Sequence, residues 1–273
     1  MSLSSLGWDV FFENAFQPFS AAGFVPARVA LQHKHAYELL TAHGAIAAEC
    51  TGRLLHTSNT PGDLPAVGDW VAVRFRSGEI SVGPVQRPRA AIPAVLPRRT
   101  KFSRRAPGDT ETEQIVAANV DTVLLVTALD QNFNLRRIER YLAVAWESGA
   151  QPVIVLNKAD LHADSAAARA EVVAIAGGAP VVVLSALAAG AANTPPVQPV
   201  PAPLPNSDIR ISEFGMAPNV APDVAAALAP WLVPGRTLAL LGSSGVGKST
   251  LINRLLGTER QSTGELSDAV GKG

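Results

Sequence analysis

Cys50 is the single cysteine among 273 residues, so the chain builds no internal disulfide and no cysteine-rich zinc site. Its expected role is that of a small buried apolar side chain. Long apolar runs are missing too. Nothing approaches the roughly 18 consecutive apolar residues of a membrane helix, and no membrane is expected among the partners. The opening stretch MSLSSLGWDVFFENAF lacks the basic start, apolar run and small-residue cleavage site of a secretory signal, so a cytoplasmic location is expected. Net charge is also absent. Lys+Arg and Asp+Glu both total 23, which leaves the nature of any charged partner to the distribution of those residues.

That distribution is uneven. From Arg74 to Arg105 nine basic residues (Arg74, Arg76, Arg87, Arg89, Arg98, Arg99, Lys101, Arg104 and Arg105) face one acid, Glu79, an excess of eight positive charges. Such a block is the footprint a polyanion requires, and Phe75 and Phe102 within it offer rings on which an unpaired base could stack. The competing reading is a solvated basic face. His33 and His35 form an H-x-H pair with no carboxylate at convincing spacing, so no metal site is expected there.

The length fits two domains, each with its own core. Residues 1–22 read as a loosely attached lead-in whose Trp8, Phe11, Phe12, Phe16 and Phe19 pack on a domain surface. Over 23–108 the short runs ARVALQ, YELLTA, AIAAECTGRLL and DWVAVRF, punctuated by turn residues, predict a small β-barrel, with Gly68 and Asp69 turning the chain into a strand. From 109 to 273 the pattern changes. VDTVLLVTAL is a continuous apolar run suited to a parallel strand covered on both faces. NLRRIERYLAVAWESG places Leu135, Ile138, Leu142 and Ala145 on one helical stripe, capped by Asn134 and stopped by Gly149. PVIVL, a helix over DSAAARAEVVAIAG, PVVVL, a helix in PDVAAALAPWL, TLALL and a last helix complete an α/β domain with a mostly parallel sheet. A proline-rich insertion at about 191–210 breaks this rhythm as an extended excursion.

Gly242, Ser243, Ser244, Gly245, Val246, Gly247, Lys248 and Ser249 fit G-x-x-x-x-G-K-[ST] in full, between a predicted strand and a predicted helix. In such a loop the glycines let backbone N–H groups turn inward on phosphate oxygens. Lys248 supplies the cation, and the Ser249 hydroxyl is placed to ligate Mg²⁺. Asn157, Lys158, Ala159 and Asp160 form NKAD at the carboxyl end of PVIVL, where ligands bind in open α/β sheets. An aspartate there accepts from the N1–H and exocyclic amine of guanine, a donor pair that adenine lacks, while Asn157 and Lys158 brace the pocket. Ser185, Ala186 and Leu187 fall at the next strand end, as the loop that caps the base in small GTPases. Base recognition thus precedes phosphate binding, the reverse of the Ras-like order. A circular permutation explains it, because original termini lie close together on a domain surface.

With EQIVAANVDTVLLV, the IERYL helix, NKADL, SAL and GRTLALLGSSGVGKSTLINRLLG, nearly the whole chain resembles the ribosome small-subunit-dependent GTPase A family. The resemblance implies an oligonucleotide/oligosaccharide-binding (OB-fold) barrel followed by a circularly permuted P-loop GTPase domain. It implies GTP hydrolysis stimulated by the small ribosomal subunit during late maturation, with the subunit and its rRNA as partners. By motif, Asn157, Lys158 and Asp160 would contact guanine, Gly245 to Thr250 the phosphates of GTP or GDP, and Ser249 the magnesium. Lys248 would act as the catalytic cation, in a chain expected to be a monomer. The family continues into a first switch, a D-x-x-G switch and a zinc domain with Cys and His ligands. The sequence stops at GELSDAVGKG, so a fragment that binds better than it hydrolyses is expected. Two other readings stand beside this one: a nucleotide-gated RNA-binding module with incidental turnover, and an unrelated P-loop ATPase in which NKAD is accidental.

Overall fold

The computed structural model describes residues 2–33, 36–75, 89–105, 113–186 and 222–257. Helix α1 (Val10–Ser20) opens at Asp9, whose carboxylate accepts from the Phe11 N–H at 3.0 Å. Strands β1 (Val25–Gln32), β2 (Tyr37–Thr41) and β3 (Gly44–Cys50) form a meander, followed by helix α2 (Gly52–Thr57) and strands β4 (Trp70–Phe75) and β5 (Arg89–Val95). The strands close into a barrel of order β1-β2-β3-β5-β4, with β3 and β5 parallel and β4 returning to β1. This is the order of an OB-fold. Alternate residues point inward: Ala27 and Val29, Tyr37 and Leu39, Ile46 and Ala48, Val71 and Val73, Ala90 and Ile92 fill the interior. Cys50 packs half-buried against the same cluster.

Two expectations are corrected here. The run AIAAECTGRLL is not one strand, because Thr51 caps a helix by accepting from the Leu54 N–H at 3.2 Å, and the cap overrides the apolar Leu54 and Leu55. Nor is the lead-in loosely attached, although its aromatic residues do pack on a domain surface as expected. Phe12 and Phe16 are buried with Leu6 against Trp70, Ala72 and Leu96 on the outside of the barrel, and Trp8 meets the Trp70 ring edge-on at 4.7 Å. Burying aromatic rings is among the largest apolar contributions a short segment can make.

Beyond the barrel, β6 (Lys101–Arg105) pairs with β7 (Glu113–Ala118) as a separate two-stranded ribbon. The domain boundary expected at 108/109 lies outside the described residues, inside the connection of that ribbon. Strand β8 (Thr122–Ala128), helix α3 (Leu135–Glu147), strand β9 (Gln151–Asn157), helix α4 (Ser165–Ile175), strand β10 (Val181–Val183), helix α5 (Pro222–Leu228), strand β11 (Leu238–Leu241) and helix α6 (Lys248–Leu256) follow. The four strands make one parallel sheet, β10-β9-β8-β11.

Every residue of β8 is buried, as its uninterrupted apolar run predicts. The period of two divides the sheet between two cores. Val123 and Leu125 pack with Ile138 and Leu142 of α3 and Val172 of α4, whereas Leu124 and Val126 pack with Leu228 of α5 and Leu251 and Leu255 of α6. The last strand in sequence therefore lies beside the first. That placement brings the loop after β11 to the same sheet edge as the loops after β8, β9 and β10. The proline-rich insertion lies outside the described residues.

Asp69 does more than turn the chain. It is fully buried, receives two hydrogen bonds from the Arg98 guanidinium at 2.7 and 2.6 Å, and accepts from the Ala66 N–H at 2.8 Å. Arg98 also donates to the Leu64 carbonyl at 2.8 Å, so the pair fixes the loop that leads into β4. Arg98→Met strands a buried carboxylate, and a loss of about 3–5 kcal/mol is expected. It would be read as a lower urea midpoint, whereas an unchanged midpoint would show that the pair contributes nothing.

Candidate functional site

The phosphate loop spans the turn between β11 and α6. Gly245 and Gly247 adopt φ of 79° and 95°, the left-handed region that favours glycine. Gly247 is constrained further, because a Cβ there would collide with the Asn157 side-chain nitrogen. Val246 is buried, while Ser244 and Gly245 face solvent. Lys248 curls back over the loop, its Nζ donating to the Gly242 and Ser243 carbonyls at 2.8 and 2.9 Å. An ammonium held there is an electrostatic partner for a phosphate seated in the loop. Ser249 and Thr250 occupy the first turn of α6, with the positive end of the helix dipole behind them.

At the end of β9, Asn157 is buried, at 1% exposure, and its carboxamide is bonded to main-chain partners. Its Nδ2 donates to the Val246 carbonyl at 2.8 Å and its Oδ1 accepts from the Ala186 N–H at 3.0 Å. One carboxamide therefore ties NKAD to the phosphate loop on one side and to the loop after β10 on the other. Lys158 takes a left-handed φ of 58° and reaches Asp130 Oδ2 at 2.9 Å, after the end of β8. Burial pushes the Asp130 carboxyl up, but the Lys158 hydrogen bond and the Asn132 N–H outweigh it and hold the group below the ordinary carboxylate value. Ala159 donates its N–H to the Leu184 carbonyl at 3.2 Å. Asp160 is exposed, and the Ser185 hydroxyl donates to its Oδ1.

The structure thus brings Asn157 through Asp160, Ser185, Ala186 and the whole phosphate loop to one edge of the sheet. Leu187 lies outside the described residues. Two arginines went unnoticed in the sequence. Arg137 donates to Ser243 Oγ at 3.2 Å, and Arg254 of α6 donates to the Ala186 carbonyl at 2.9 Å. The available signal for Arg137 was its place in the first turn of α3, which starts at the edge where β8 ends. Mg²⁺ keeps several waters and phosphate oxygens and takes few protein ligands. The partly exposed Ser249 hydroxyl, in the first turn of α6, suits that demand. Among the described residues no group of three or more His, Cys, Asp or Glu could hold a metal ion.

The basic block is less free than its composition implies. Besides Arg98, Arg99 pairs with Asp9 and lies over the Phe11 ring at 4.7 Å. Lys101 pairs with Glu113 at 2.7 Å, and Arg74 stacks on Phe24 at 4.3 Å while donating to the Ala22 carbonyl at 2.9 Å. The side chains of Arg76, Arg87, Arg89, Arg104 and Arg105 lie outside the description. Phe75 is exposed, but Phe102 is buried at 4% in the core beneath α3 and offers no base a surface. A ring facing the core on one strand of a ribbon looks the same in sequence as one facing solvent.

A family model described as RsgA GTPase matches residues 95–194 and 213–273. The small ribosomal subunit biogenesis GTPase RsgA of Opitutus terrae is 58% identical over the whole chain, which spans 65% of that protein's length. The protein of the same name from Syntrophotalea carbinolica is 39% identical, again with 100% of this chain and 65% of the relative covered. Among solved structures, YjeQ from Thermotoga maritima superposes with a TM-score of 0.53 at 21% identity, covering 85% of this chain and 65% of its own. YloQ, a circularly permuted GTPase, gives 0.51 at 19% identity, over 84% of this chain and 63% of its own. These two likenesses support the permuted fold.

Asn157→Ala leaves the buried Val246 carbonyl and Ala186 N–H without partners, each costing about 1–3 kcal/mol. Thermal denaturation of Asn157→Ala should show that loss. Asn157→Asp should lose at least as much, because an aspartate oxygen would oppose the Val246 carbonyl. A wild-type melt from either variant would remove Asn157 from this role.

Proposed function

The chain belongs to the RsgA GTPase family, and from that premise we propose that it binds and hydrolyses GTP, with Mg²⁺, as a factor in late maturation of the small ribosomal subunit. Because the chain spans 65% of the length of the Opitutus terrae and Syntrophotalea carbinolica proteins, the activity of the whole protein reaches it only as part of this proposal. In this reading residues 109–273 are the nucleotide domain and 23–108 the OB-fold module that contacts rRNA, in a cytoplasmic monomer.

The observation that carries the proposal is the Asn157 carboxamide. It sets the exposed Asp160 at a fixed reach from the phosphate loop, as one nucleotide with a base at one end and phosphates at the other requires. Asp160 keeps Oδ2 for guanine N–H donors while Ser185 holds Oδ1. Lys158 braces the pocket through Asp130, and Ala186, with Leu187 next in sequence, would cap the base. Backbone N–H groups from Gly242, Ser243, Ser244, Gly245, Val246 and Gly247 through Thr250 cradle the phosphates. Ser249 would hold Mg²⁺, which when bound neutralises charge on the β- and γ-phosphates. Lys248, released from its two loop carbonyls, neutralises charge on the transferred phosphoryl group.

Co-sedimentation with purified small ribosomal subunits tests the reading, run with a non-hydrolysable GTP analogue, with GDP and with the matching ATP analogue. Retention is expected with the GTP analogue and not with the ATP analogue, and it should be lost in Lys248→Ala. Equal retention with all three nucleotides would favour an RNA-binding module indifferent to nucleotide. Retention with the ATP analogue alone would make NKAD accidental.

A further inference from the structure

At the joint between the lead-in, the barrel and the parallel sheet lies an open cavity of about 320 Å³, well away from the phosphate loop. Its charged lining is Arg28, Arg99 and Arg236 against Asp9 and Asp121, an excess of one positive charge. We propose that this cavity binds a small molecule through an oxyanion, a carboxylate or a phosphate group, held among the three arginines.

Arg28 is the buried charge of the cavity. It is 3% exposed, and among the described residues its hydrogen bonds run only to main-chain carbonyls: Nε to Gly68 at 3.2 Å, Nη2 to Asn119 at 2.8 Å, and Nη1 to Leu6. A guanidinium stays charged at neutral pH, and three bonds leave two of its five donors unused. The neighbouring carboxylates are committed elsewhere, Asp9 to Arg99 and Asp121 to Arg236 at 2.6 Å. Burial accordingly pulls the Arg28 pKa down to about 10, with Asp121 and Asp69 opposing that shift only through space. A buried charge is normally matched by one of opposite sign, and among the described residues no carboxylate bonds Arg28, whose guanidinium otherwise lies over the Trp70 ring at 5.7 Å. Arg99 and Arg236 each spend one nitrogen on their aspartates and retain further donors.

The cavity wall is built to close tolerance. A Cβ on Gly7 would stand 2.8 Å from the Gly235 carbonyl oxygen and 2.9 Å from Arg28 Nη1, so only glycine fits beside the guanidinium. The volume lies at the small end of ligand sites, matching a compact anion rather than a nucleotide. Such an occupant would bridge the lead-in, the barrel and the strand beginnings at Asp121 and Arg236.

Isothermal titration calorimetry with inorganic phosphate and, separately, with malonate at constant ionic strength tests the proposal on the wild-type chain, Arg236→Gln, Asp9→Asn and Lys248→Ala. Saturable binding of at least one anion is expected, and it should persist in Lys248→Ala, where the phosphate loop is disabled. Loss of one charge-assisted contact in Arg236→Gln should weaken it about tenfold. Asp9→Asn should tighten it by freeing Arg99, and Lys248→Ala should leave it unchanged. Phosphate binding alone would identify a phosphate ester as the ligand class, and malonate binding alone a carboxylate. No saturable binding of either anion, binding indifferent to both Arg236→Gln and Asp9→Asn, or binding lost in Lys248→Ala, would overturn the site.

Discussion

The carboxamide of Asn157 is the constraint on which the candidate site depends. Three segments far apart in sequence, at 157–160, 185–186 and 242–249, must present one continuous surface. An amide side chain carries a donor and an acceptor on one rigid plane, so it can pair an orphan carbonyl and an orphan N–H at once. Asn157 does this with Val246 and Ala186. Neither aspartate, which has no donor when ionised, nor leucine of similar volume can replace it. The glycine at 247 follows from the same contact, because the amide nitrogen occupies the space that a side chain there would need.

This constraint also shows why the order of the motifs along the chain matters little. Pairing of β11 with β8 in register, Leu238 against Thr122 through Leu241 against Leu125, fixes the position of the phosphate loop independently of chain order. Once β11 lies beside β8, the loop after it faces the loops after β8 and β9. Lys158 reaches across to Asp130 and Arg137 reaches the loop at Ser243, so each neighbouring strand end contributes a cross-tie.

Much of this was legible in sequence because it rests on local patterns. The apolar run of β8, the stripe of α3 with its Asn134 cap, and the glycine spacing of the phosphate loop each state their own conformation. The capped helix after Cys50 was missed because Leu54 and Leu55 extend an apolar run while Thr51 ends it, and the two signals conflict within a few residues. The partners of charged residues were not legible. Arg98 and Asp69 lie 29 positions apart, Arg28 and Asn119 lie 91 apart, and nothing in either neighbourhood distinguishes a buried guanidinium from a solvated one. The same gap turned Phe102 from a stacking surface into core. Residue type gives the chemistry available, and packing decides where it is used.

In the proposed function Asp160, held in place by the Asn157 carboxamide, selects guanine. Calorimetric titration of GDP and of ADP into the wild-type chain and into Asp160→Asn, with Mg²⁺ present, checks this. GDP should bind the wild type and ADP should not, and Asp160→Asn should weaken GDP roughly a hundredfold or more as two charge-assisted hydrogen bonds are lost. Equal affinity for GDP and ADP, or GDP binding unaltered in Asp160→Asn, would remove Asp160 from that role.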